Sequence, residues 1–108
     1  MTYQETLDFY DKLVDQCPDF ERKGKTMPYT SANGYMFSLL NKDGELGIRL
    51  DKAEQEAFMA EHDTTMFKSY GATMRGYVLI PESLYPNEKL LVDTLNAAYA
   101  HVISLPPK

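Results

Sequence analysis

The chain holds a single cysteine, Cys17, so no internal disulfide framework can form, and a reducing compartment fits that usage. No apolar stretch approaches the roughly 18 residues that a membrane span needs. The N-terminus has neither the basic segment nor the apolar run of a secretory leader. A soluble, cytoplasmic protein is the expectation. Gly-x-Ser-x-Gly elbows, Walker loops and dinucleotide fingerprints are all missing. The run Gly71-Ala72-Thr73-Met74-Arg75-Gly76 lacks the strand-before, helix-after setting that phosphate binding requires, so its glycines read as turn and strand features. Only two histidines are present, His62 and His101, and neither stands in ligand spacing with the other or with Cys17. No catalytic residue, no metal and no cofactor are therefore expected.

A concentrated basic stripe is missing as well. Residues 1–21 carry six acids against the single base Lys12, while the remaining 87 residues carry ten of each. The net charge of −5 thus belongs to the N-terminal segment. Such a segment repels phosphate backbones, and the short cluster Arg22, Lys23 and Lys25 is largely offset by it, so direct nucleic-acid binding is not expected.

What is present is a dense pattern of helices and strands. Residues 2–17 place Tyr3, Leu7, Tyr10, Leu13, Val14 and Cys17 on one side of a helix, and Pro18 ends it. Lys23–Ser31 reads as a first strand, with Pro28 marking an edge or a bulge. Asn33-Gly34 is a strong turn dipeptide, Tyr35–Leu40 a second strand, Asn41–Gly44 another turn and Glu45–Leu50 a third strand. Asp51 with Glu54 has capping-box spacing and opens a second helix, whose buried side is expected to be Ala53, Ala57, Phe58 and Met59. Strands over Thr64–Lys68 and Thr73–Ile80 follow, then a helix from about Pro86 to Ile103 with Pro86 in its first turn. The order predicts one domain over 1–108: an α+β, two-layer α-β3-α-β2-α arrangement with helices on an antiparallel sheet. A chain of this length buries roughly two thirds of its unfolded surface, enough to hold together without staples.

Two groups of residues are candidates for contact with a partner. Asp8, Asp11 and Asp15 share one face of the first helix, which reads as a solvated face or as a dock for a basic surface. In the second strand Tyr35, Phe37 and Leu39 alternate with Met36, Ser38 and Leu40, and in the fifth Tyr77 and Leu79 alternate with Val78 and Ile80. Both sides of these strands are apolar, although helices cover one side of a two-layer fold. Large residues on the other side would mark an interface.

Met27, the run Asn33-Gly34-Tyr35-Met36-Phe37 and the turn Asp43-Gly44-Glu45-Leu46 are joined by two later segments, Met74-Arg75-Gly76-Tyr77-Val78-Leu79-Ile80-Pro81 and Ser104-Leu105-Pro106-Pro107-Lys108. In this order they resemble the N-terminal domain of the TfoX/Sxy competence regulators. The resemblance implies the same two-layer fold and a stand-alone domain of that type. It departs in the first strand, where Met27-Pro28-Tyr29 stands in place of the family's Met-Phe-Gly-Gly. The expected role is a non-catalytic interaction or regulatory module with an unidentified protein partner or a second copy of itself. The alternative is a small-ligand binder or enzyme with a pocket between sheet and helices.

Overall fold

The computed structural model describes all 108 residues. Three helices, α1 (Tyr3–Asp15), α2 (Lys52–His62) and α3 (Glu88–Ser104), accompany five strands: β1 (Tyr29–Ala32), β2 (Tyr35–Leu40), β3 (Leu46–Arg49), β4 (Met66–Ser69) and β5 (Ala72–Ile80). The strands form one sheet in the order β1-β2-β3-β5-β4, and every neighbouring pair is antiparallel. The expected α+β architecture is the one observed.

Local chemistry accounts for the element boundaries. Thr2 and Glu5 form a reciprocal capping box at the start of α1, a signal that the hydrophobic pattern alone does not reveal. Asp51 caps α2 through the Glu54 amide, but no return bond from the Glu54 side chain accompanies it. Pro86 lies outside α3 rather than in its first turn, because Asn87 takes the cap by accepting from the Leu90 amide. The first strand is shorter than its sequence suggests. Lys23 and Tyr29 exchange both backbone bonds, at 2.7 and 2.9 Å, so residues 24–28 close into a loop and pairing with β2 begins at Tyr29.

The main core lies between sheet and helices. Tyr10, Leu13 and Val14 of α1 and Leu91, Leu95, Ala98 and Val102 of α3 meet Leu40, Leu46, Ile48, Val78 and Ile80 of the sheet. One polar chain crosses it: the Tyr10 hydroxyl lies 2.6 Å from Ser38 Oγ, which also bonds Thr30 Oγ1. No buried side-chain nitrogen or oxygen is left without a partner. Lys12 and Gln16 both donate to the Glu88 carboxylate and tie α1 to the start of α3.

Two of the family-like motifs prove to be one physical unit. Asn33 Nδ2 donates to the carbonyls of Val102 and Leu105, at 2.9 and 2.8 Å, and so helps to satisfy the acceptors at the end of α3. The Tyr35 hydroxyl donates to Pro106 O, and the Lys108 amide donates to Asn33 O. Asn33 and Gly34 hold φ of 56° and 84°, the left-handed pair that a tight hairpin needs. Asn33→Ala removes both side-chain bonds and places alanine in a strained conformation, so it is expected to cost about 1–3 kcal/mol. Chemical denaturation checks this, and a variant as stable as the parent would contradict the clasp.

Candidate functional site

The β1–β2 register shifts between Thr30 and Ser31: Thr30 pairs with Ser38 and Ser31 with Met36, leaving Phe37 as the extra residue of a β-bulge. The bulge resets the alternation of β2. Phe37 joins Ser38 on the helical side, where its ring meets Phe20 edge-on at 4.9 Å and Tyr99 at 6.0 Å. Tyr35 also packs against the main core. Tyr35, Phe37 and Leu39 therefore do not share a face: of the three, only Leu39 looks outward from the helices.

On that outer face Leu39 joins Tyr77 and Phe67 in a second small cluster, with Leu79 at its border. The expected pairing of Tyr77 with Leu79 and of Val78 with Ile80 on opposite sides matches the observed division between the two cores. Leu39 and Tyr77 are nonetheless buried, so neither is available as a contact. The cover comes from β4. Met66 pairs with Val78 and Lys68 with Thr73, so β5 bows out over residues 74–77 opposite Phe67. The edge curls until Asn41 Nδ2, beyond the end of β2, reaches Lys68 O at 2.8 Å. The Phe67 ring then lies on Gly47, where any Cβ would fall 2.7 Å from Cδ1 and nearer still to Cγ. Tyr77 closes the cluster by donating to Met36 O at 2.6 Å. Burial pushes the Tyr77 hydroxyl up to about 12, against the opposing effect of Arg49.

Around this sealed centre Met27, Tyr29, Met36, Met74 and Leu79 are only partly covered. Arg49 pairs across from Tyr77, and Lys23 reaches Ser31, so bases border the apolar rim. The Arg49 guanidinium also lies 5.3 Å from the Tyr35 ring, and Lys108 Nζ lies 5.4 Å from it, both within cation–π range. Sequence reasoning places Met27, Met36 and Met74 in the motifs that carry the resemblance, but not among the contact candidates. Their signal was available in the strand parity of Met36 once the bulge is placed.

The acidic face of α1 is smaller than it reads. Asp11 is held by Arg22 in a two-bond pair, Nε–Oδ1 at 2.7 Å and Nη2–Oδ2 at 3.1 Å. Asp8 accepts from Gln4, and Asp15 makes no side-chain bond, so of the three aspartates Asp8 and Asp15 keep uncompensated charge. No group of three or more His, Cys, Asp or Glu side chains is placed to hold a metal ion. Cys17 is buried, and burial first and Asp19 second push its thiol up to about 11, the opposite of an activated nucleophile. His62 packs its ring 4.6 Å from Phe58, and its Nε2 is 3.8 Å from Glu61.

Between sheet and helices lies an apolar void of about 10 Å³ lined by Tyr10, Leu13, Leu46, Ile80, Leu91 and Leu95 among others. That is the volume of one water centre in apolar surroundings, not a ligand site. No helix is long and apolar enough to cross a membrane. No protein-family model matches the chain, and no curated protein matches it.

Proposed function

We propose that this domain is a non-catalytic protein-interaction module of a regulatory kind, a counterpart of the N-terminal domain of TfoX-type regulators, which binds its partner through the outer sheet face. The observation that carries this reading is the half-covered rim of Met27, Met36, Met74, Tyr29 and Leu79 around a sealed centre. Methionine side chains are flexible and polarizable, and they suit surfaces that adapt to another protein. A fixed floor beneath them keeps such a surface from collapsing inward.

The basic border favours a partner with acidic groups flanking its own apolar contact. The domain's net charge of −5 disfavours nucleic acid as that partner. The apolar void between the layers is too small for a ligand.

The test compares wild type with Met36→Glu/Leu79→Glu and with Asp8→Asn/Asp15→Asn as baits in a cell extract. Retention of one protein by the wild type and the α1 variant, with at least a tenfold loss in the outer-face variant, is the expected result. Equal retention by the outer-face variant, its fold verified by circular dichroism, would refute the reading. Sedimentation of the isolated protein reads self-association through the same face: a dimer lost in Met36→Glu/Leu79→Glu makes the partner a second copy.

A further inference from the structure

A second surface, separate from the outer sheet face, lies on the helical side between α2 and α3. It is an open groove of about 260 Å³. Leu50, Ala57, Phe58, Leu90 and Ala97 supply apolar lining, while Glu54, Glu61 and Asp93 bring three carboxylates to it. His62 is the one lining side chain that can carry positive charge. Lys89 pairs with Asp93 at 3.0 Å, but both are well exposed, and such a pair yields readily to a better partner.

The groove exists because α2 is thinly anchored. Ala53 and Ala57, expected to face the core, are exposed, and Phe58 is the only buried residue of the helix. Ala57 of α2 and Ala97 of α3 line the groove with small side chains, which leaves room for an approaching helix. An apolar trough edged by acids, too shallow to enclose a small molecule, matches the side chains of a helix laid lengthwise.

Charge selects the occupant. The chain's own helices carry four acids to one base in α1, three to one in α2 and two to one in α3. A helix of a second copy would bring net negative charge to the carboxylates. We propose that the α2–α3 groove docks a cationic amphipathic helix of another protein, with its apolar side chains on Ala57, Leu90 and Ala97 and its Lys or Arg side chains on Glu54, Glu61 and Asp93.

The probe is a synthetic helical Leu/Lys peptide of about fourteen residues, four turns, beside the same peptide with Glu for every Lys. Amide NMR of the full chain should show saturable shifts in Ala57–His62 and Asp93–Ala97 with the Lys peptide alone, weakening as salt is raised. Ala57→Arg, an exposed position whose change leaves the denaturation midpoint intact, should lower affinity at least tenfold, whereas Asp8→Asn/Asp15→Asn should leave it unchanged. Equal binding of the Glu peptide, shifts confined to α1, full affinity in Ala57→Arg, or absence of saturable binding would each overturn the proposal.

Discussion

Gly47→Ala is expected to destabilise the domain by about 3 kcal/mol, the upper end of overpacking costs, because the new methyl group falls inside the Phe67 ring. The ring cannot step aside. Phe67 is completely buried, and β4, which carries it, is held by the Asn41–Lys68 bond and by pairing with β5. Nor can the small void beside Gly47 absorb the methyl, since that void lies on the helical side of the sheet and the Cβ would project outward. Phe67→Ala alone should cost about 3–5 kcal/mol as a cavity. Combined, the two changes should cost less than their sum by about 2 kcal/mol, because each removes the reason for the other's penalty. Urea denaturation of the four proteins measures the coupling, and strict additivity would mean that Phe67 does not rest on Gly47.

The second large effect is loss of the fold in alkali. Burial pushes the Tyr77 and Tyr85 hydroxyls up to about 12 and the Cys17 thiol up to about 11, and raises Tyr10 further. Each of these groups is neutral when protonated, and its folded pKa lies above its unfolded one. Its contribution is therefore fully present below the unfolded pKa, near 9 for the thiol and 10 for the phenols, and is lost as pH rises through the folded value. Discounted for the solvent that reaches these groups, the losses still add up across three sites in a domain whose whole stability is marginal. The denaturation midpoint should hold steady through neutral pH, fall from about pH 9, and reach cooperative unfolding by about pH 12, with tyrosinate absorbance rising in the same transition. Cys17→Ala should delay the onset. Tyrosines that titrate normally with the fold intact would contradict the burial of these hydroxyls.

Much of the architecture follows from local signals: the Asn33-Gly34 turn, the limits of β2, the Asp51 cap and the spacing of Leu91, Leu95, Ala98 and Val102. The candidate surface was harder to read, for identifiable reasons. A bulge such as that at Phe37 has no sequence mark, yet it moves Phe37 to the opposite face. The bond from Arg22 to Asp11 spans the end of α1 and a loop, so nothing in helical periodicity announces it. Ala53 and Ala57 fit a buried helical side by spacing, but their exposure depends on where α3 lies. Gly47, by contrast, did carry a signal: a lone glycine in a cleanly alternating strand marks a close approach, here that of Phe67.

The six methionines divide the molecule in a way one measurement can use. Met27, Met36 and Met74 border the outer cluster, Met59 packs on the main core, Met66 pairs with Val78 at the β4 edge, and Met1 is exposed at the N-terminus. Methyl NMR of methionine-labelled protein, alone and with the protein it retains, reads all six at once. Shifts or broadening confined to Met27, Met36 and Met74 are the predicted result. Unchanged signals from these three, with the response at Met59 or Met1 instead, would contradict the assignment of the outer sheet face as the binding surface.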